Sequence, residues 1–173
     1  MDLILETTPD GTHRLRTPAG TVPCVIGRGG VIADKREGDG GTPVGAFELR
    51  RVLYRPDRLP PPETALPVAA IAPDDGWCDD PAHPHYNRPV KRPFPASHEE
   101  MWRDDHVYDL VVVLGHNDDP PVPGRGSAVF LHLVRPDRAP TAGCVAVELP
   151  AMLDLLRACR PGDRIVIPDP RGR

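Results

Sequence analysis

The sequence predicts a mostly β domain with one main helix near its C-terminus, and three observations carry that expectation. Prolines number 24 in 173 residues; they interrupt helices and central strands and favour short strands joined by long loops. Apolar residues make up 39% of the chain but aromatics only 5%, so the core must rest on Val, Leu, Ile and Ala. The length suffices for one domain, spanning residues 1–173, with a proper core. A helical apolar period appears clearly in one stretch, Leu149 to Cys159.

In chain order, Leu3 to Leu5 and Arg14 to Arg16 flank Pro9-Asp10-Gly11 and predict a hairpin. Val22 to Ile26 is a strand closed by the tight turn Arg28-Gly29-Gly30, and Val31 to Ala33 continues as a short strand. Glu37 to Gly41 is loop. Phe47 to Tyr54 alternates as a strand, Pro56 to Pro62 is a connector, and Val68 to Ile71 is another strand. Asp74 to Pro95 has little periodicity and is read as a long loop of functional interest. Ser97 as cap with Glu100 at the capping-box position predicts a short helix to about Trp102. Val107 to Leu114, the most apolar strand, belongs at the centre. Pro150 suits the first turn of the Leu149–Cys159 helix, with Leu149, Met152, Leu153, Leu156 and Cys159 on one face. Pro161-Gly162-Asp163 ends it, and Arg164 to Ile167 is the last strand.

Chemistry concentrates in Pro140-Thr141-Ala142-Gly143-Cys144-Val145-Ala146-Val147, which follows Phe130-Leu131-His132-Leu133. A thiol becomes a strong nucleophile when a base takes its proton. A glycine beside it permits close backbone approach and leaves main-chain N–H groups to face an oxyanion. His132 and Cys144 lie symmetrically about Arg138. Antiparallel pairing of Ser127 to Val134 with Gly143 to Val147, through the loop Arg135 to Ala142, would place the two side chains about 4.5–5.5 Å apart at Cβ. Taken singly, the cysteine reads as a small buried hydrophobe and the histidine as structural; together they read as nucleophile and base.

These residues resemble the L,D-transpeptidase catalytic domain (YkuD-type), whose members carry a His followed by a Ser/Thr-x-Gly-Cys signature, here His132 and Thr141-Ala142-Gly143-Cys144. Upstream, Glu37-Gly38-Asp39-Gly40-Gly41-Thr42-Pro43-Val44-Gly45-Ala46-Phe47 is similar to the family's Thr-Pro-x-Gly-x-aromatic segment. The likeness covers roughly Val22 to Pro168. It implies a β-sandwich of two mixed sheets, a Cys144 thioester, and peptidoglycan stem peptides as donor and acceptor. It also implies that the Leu133 carbonyl orients the His132 ring and that Gly143 helps form the oxyanion site. No metal or organic cofactor is implied. The chain departs from the family at Ala142, where a second His is common, and at Ala146, where Asn or Arg is common. Its His-to-Cys interval is also short. It is therefore read as a divergent branch, with acyl-donor specificity more affected than thiol chemistry.

Gly115-His116-Asn117 follows the central strand, so His116 and Asn117 are candidates to line the substrate cleft, and His116 to stand in for the histidine missing at Ala142. Arg88, with Tyr86 in the same loop, and Arg138 are candidates to hold a substrate carboxylate. Thr141, inside the signature, joins this substrate-binding set. Cys78, His83, His85, His98 and His106 match no common zinc spacing. The four cysteines form no disulfide framework, and Cys24 and Cys159 read as buried hydrophobes. Net charge is −4 with no concentrated basic stretch, which argues against nucleic acid. The cluster Arg50, Arg51, Arg55, Arg58 is read as a solvated face. No apolar run approaches the roughly 20 residues of a membrane span.

The resemblance implies work at the periplasm or cell envelope, yet Met1 to Glu6 lacks the pattern of a secretory signal. Export by another route, a signal outside this sequence, and action on cytoplasmic precursors all stay open, as does oligomeric state. An L,D-carboxypeptidase, a non-catalytic wall-binding domain of the same fold and a metal hydrolase using the loop histidines are the rival readings.

Overall fold

Leu3, Leu5 and Leu15 are buried while their sequence neighbours are more exposed, the period-2 pattern of half-buried strands. They pair strand β1 (Asp2–Thr7) with β2 (His13–Thr17) in the expected hairpin, with Leu5 opposite Leu15. The computed structural model describes residues 1–172. The remaining elements follow as β3 (Gly20–Val25), β4 (Val31–Ile32), β5 (Thr42–Pro43), β6 (Gly45–Tyr54), β7 (Val68–Ala70), β8 (Asp75–Cys78), β9 (Pro89–Lys91), β10 (His98–Glu100), β11 (Leu110–Leu114), β12 (Phe130–Leu133), β13 (Val145–Val147), helix α1 (Leu149–Ala158) and β14 (Arg164–Ile167).

The β class and the single C-terminal helix stand, but the architecture differs from two packed mixed sheets. One sheet runs β11-β12-β13-β3-β2-β1-β14-β6-β7, and β11 also pairs with β6, so the sheet closes on itself like a barrel. The ten-residue β6 makes closure possible. It pairs with β14 over its first half and with β11 over its second, and the register shifts between Val113 and Leu114. Such an irregularity bends a strand and increases its twist. Leu3, Leu15, Val52, Val112, Leu131, Val145 and Val147 fill one core, which also receives Met152, Leu155 and Leu156 from α1. Pro150 sits in the helix's first turn, and the Cys159 N–H closes its end on the Leu155 carbonyl at 3.0 Å.

A second cluster packs on the other face of the strands that carry the candidate nucleophile. It joins Trp77, Met101, Tyr108, Val111, Val113, Phe130 and Cys144. Its roof is a small antiparallel sheet, β10-β8-β9. The stretch expected to be a long loop thus contains β8 and β9. The short helix expected after Ser97 is instead β10, with Glu99 opposite Trp77. The capping-box spacing was present without an apolar helical period to follow it, and edge pairing to β8 decided the conformation. The central strand starts at Leu110, later than expected, and all five of its residues are buried.

The arginine cluster is also less solvated than expected. Arg55 is 3% exposed, lies 3.7 Å over the Trp102 ring and pairs with Asp57. Arg58 pairs with Asp109. The four cysteines are buried and free. Among the described residues, no helix is long and apolar enough to cross a membrane.

Candidate active site

Strands β12 and β13 are neighbours, but they run parallel, with Leu131 opposite Val145 and His132 opposite Ala146. The antiparallel register expected from the symmetric spacing is therefore corrected. The intervening loop first runs beside the end of β3, where the Thr141 N–H bonds the Ile26 carbonyl at 3.0 Å and the Arg28 N–H bonds the Thr141 carbonyl at 2.9 Å. The chain then turns at Gly143 and re-enters the sheet antiparallel to β3, hence parallel to β12. Alternation sends Leu131, Leu133, Val145 and Val147 into the main core and leaves Phe130, His132, Cys144 and Ala146 on the roofed face. His132 and Cys144 are thus diagonal neighbours on one face, a step of about 7–8 Å that a long side chain spans.

The turn carrying Cys144 is held by two threonine hydroxyls. Thr42 Oγ1 accepts the Gly27 N–H at 2.9 Å and donates to the Gly143 carbonyl at 2.9 Å, all within fully buried surroundings. Thr141 Oγ1 accepts the Gly143 N–H at 3.1 Å and donates to the Cys144 carbonyl at 2.6 Å. Gly143 has φ +142°, and a Cβ there would lie 2.8 Å from the Gly41 carbonyl oxygen. Only glycine fits both the conformation and the space. The Thr-Pro-x-Gly segment therefore acts here, through Thr42, by bracing the turn that carries Cys144. Thr42→Val keeps the volume and removes both hydrogen bonds, leaving a buried N–H and carbonyl unpaired. It is expected to lower stability by about 2–3 kcal/mol and to slow acylation of Cys144. Urea unfolding checks the first; an unchanged midpoint would remove Thr42 from this role.

His132 is 6% exposed, and its Nδ1 lies 2.8 Å from the Leu133 carbonyl. A carbonyl only accepts, so Nδ1 carries the proton of the neutral ring and Nε2 is left as the base. Burial, with the nearby Arg103 charge adding to it against the Leu133 hydrogen bond, lowers the His132 pKa to about 4. Burial first, and then the Glu99 carboxylate, push the Cys144 thiol up to about 12. At neutral pH the resting pair is therefore thiol and neutral imidazole. The thiol donates to the Ala128 carbonyl at 3.2 Å and accepts the Phe130 N–H at 3.3 Å. Ala128 sits at φ +51°, and its N–H is fixed by Asn87 Oδ1 at 3.0 Å.

A cleft of about 280 Å³ opens beside His132, lined by Tyr108, Glu99, Arg103, Arg135 and Thr141 among others. The Tyr108 ring meets the His132 ring edge to face with centroids 5.3 Å apart, and the Tyr108 hydroxyl donates to Glu99. Burial raises the Glu99 pKa and keeps Tyr108 well above the usual phenol range. Sequence reasoning missed Glu99 and Tyr108, because the first lay in an expected helix and the second in an expected strand interior.

The remaining candidates divide. Thr141 lines the His132 cleft as well as bracing the turn. His116 packs on Phe47 at 5.2 Å and lies close to Gly126 and to Lys35, which also neighbours Gly143. Tyr86 is 3% exposed; its hydroxyl donates to Glu37 and accepts the Gly126 N–H. Asn117, at φ +49°, ties Val122 and Gly126 together through its amide. Both shape the loop that ends at Ala128. Arg88 lies at a separate cationic cavity. Arg138 pairs with Glu148 at 2.7 Å and lines a cavity with Pro23 and Cys24, apart from the His132 cleft. His83 and His98 stack edge-on against Phe94. Among the described residues, no three His, Cys, Asp or Glu side chains converge to hold a metal.

Burial, with the Lys35 charge, also lowers His116 to about 4. Both His132 and His116 are thus depressed below the value of an unfolded histidine, near 6.5. Their contribution to stability is complete above that value and is lost as pH falls toward 4, because the unfolded chain then binds protons the folded one refuses. Between pH 7 and 4.5 each is expected to cost about 2 kcal/mol. Urea unfolding at the two pH values checks this, with a smaller drop expected for His116→Gln. An equal drop in that variant would overturn the assignment to His116.

The sequence matches the model of the L,D-transpeptidase catalytic domain, YkuD, over residues 5–167. No curated protein matches the chain. A match over nearly the whole chain, with the signature cysteine and histidine on adjacent strands of one sheet face, places this protein in the YkuD family of L,D-transpeptidase catalytic domains.

Proposed function

We propose that the protein is a peptidoglycan L,D-transpeptidase working by cysteine acyl transfer, at the periplasm or cell envelope. The observation that carries this reading is the placement of Cys144 and His132 on one face of neighbouring strands, with the His132 Nδ1 held by the Leu133 carbonyl. That leaves Nε2 on the nucleophile's face as a base.

A stem peptide entering the His132 cleft displaces the thiol from the Ala128 carbonyl. His132 Nε2 takes the Sγ proton as the sulfur attacks the peptide carbonyl. The new C–S bond and a tetrahedral oxyanion form together, with the Cys144 main-chain N–H stabilising the charge, since the Gly143 N–H is already bonded to Thr141 Oγ1. The C–N bond then breaks, and the imidazolium returns the proton to the departing amine, D-alanine in relatives. An amine of a second stem attacks the thioester and gives its proton to His132; the new C–N bond completes the crosslink as the C–S bond breaks, and the imidazolium returns the proton to the Cys144 sulfur. Water at this step would give a shortened stem instead.

Mass spectrometry of disaccharide tetrapeptide incubated with the protein tests this. A new dimer lacking one alanine is expected. A shortened monomer alone would replace transpeptidase by carboxypeptidase, and no product would favour a wall-binding role.

A further inference from the structure

A row of residues crosses the sheet from the nucleophile to an arginine that the acyl-transfer chemistry does not use. Phe130 is level with Cys144 in the parallel β12–β13 register, Val113 is opposite Phe130, and Arg51 is opposite Val113. The first three pack in one cluster under Trp77, and the Arg51 guanidinium lies 5.9 Å from the Trp77 ring. All four therefore share the roofed face. Three inter-strand steps put Arg51 about 14 Å from Cys144 along that row.

Over the far end of the row lies a cavity of about 530 Å³, lined by Arg50, Arg51 and Arg88 together with Trp77, Val113 and Phe130. Its charges are unbalanced. Arg50 is committed to Glu48 and to Asp118, the acidic residue on the cavity wall. Arg51 and Arg88 make no ion pair among the described residues, and the Arg51 Nε is buried with no hydrogen-bond partner. Arg51 and Arg88 thus line a concave, aromatic-walled space with no carboxylate of the described residues paired to either, a setting in which a ligand can supply the acceptor. A carboxylate fits the guanidinium fork, and the apolar floor of Val113 and Phe130 suits the chain that carries it.

We propose that this cavity is a subsite for a carboxylate of the peptide that acylates Cys144, held by Arg51 and Arg88. This rests on the acyl-transfer reading above and adds a specificity determinant to it. Phe130 and Val113 are buried between Cys144 and Arg51, so the row sets the separation the peptide must span, about 14 Å, rather than its path.

The test uses two stem tetrapeptides, one with free side-chain carboxylates and one with each converted to a carboxamide. Acyl-enzyme formation without an acceptor is followed by intact-protein mass spectrometry. The parent protein is expected to show a KM at least tenfold lower for the free-acid peptide. In Arg51→Met and in Arg88→Ala that preference should fall to within twofold, with the maximal rate changed less than threefold. Arg88 is exposed, so its variant keeps the test valid where Arg51→Met folds poorly. Equal KM values for the two peptides in the parent, or an undiminished preference in both variants, overturns the subsite. A preference seen only when an acceptor amine resolves the thioester assigns the cavity to the second peptide and overturns the proposal as stated. Calorimetric binding of the same two peptides to Cys144→Ala separates the two readings. Tighter free-acid binding there, lost on adding Arg88→Ala, supports the subsite even where the parent forms no acyl-enzyme. Equal binding of both peptides overturns it.

Discussion

Cys144→Ala is expected to form no acyl-enzyme with a stem tetrapeptide, a loss of roughly 10⁴-fold or more in turnover. In the proposed mechanism the sulfur is the atom that bonds to the peptide, with no neighbouring group on the roofed face to replace it. The fold should survive. The substitution removes one buried sulfur and two weak contacts, to the Phe130 N–H and the Ala128 carbonyl, a cost of about 1–2 kcal/mol. Urea unfolding and intact-protein mass spectrometry measure the two effects separately. Retained turnover in a folded variant would remove Cys144 as nucleophile. Cys144→Ser sharpens the result, because it restores a hydroxyl to both contacts but offers a far poorer nucleophile at neutral pH. It should be stable and equally inactive.

How much of this could be read from residues alone follows from what each signal measures. The first hairpin, helix α1 and strand β14 were legible because their apolar periods are local. The candidate pair stood out because Gly143-Cys144 and His132 sit on short apolar runs, and the contact of His132 Nδ1 with the Leu133 carbonyl, which the family resemblance implied, is present. Their register was not. Strand direction depends on where the 135–142 loop docks, and it docks on Ile26 to Arg28, more than a hundred residues away. The same limit hid Thr42, which meets Gly143 across 101 positions. It also hid the roof over Cys144, whose strands β8 to β10 are three or four residues long and held mainly by pairing with one another. Sheet closure escaped for a similar reason, since one long strand shared among three partners leaves no local trace. The arginines misled in the opposite sense: their charge implied solvent, while Arg55 and the Arg51 Nε are buried.

His132→Ala should slow acylation of Cys144 by about 10²–10⁴-fold, the range for loss of a positioned base, and should change its pH dependence as well as its size. In the parent, the base is lost when the imidazole protonates, so the rate falls as pH drops through about 4. Above that point His132 is neutral and removes the proton during attack, which makes the rate nearly level through neutrality despite a thiol pushed up to about 12. Without His132 the reaction must wait for free thiolate. Its rate should then climb about tenfold per pH unit from neutrality upward, with no break near 4. The sign separates this role from a structural one: a merely loosened site would lose rate at every pH and keep the acid limb. Pseudo-first-order acylation rates between pH 3.5 and 10 provide the measurement. An unchanged acid limb in the variant would mean that another group takes the proton. His116 is the first to examine, since it shares the low value and lies beside Lys35 next to the Gly143 turn.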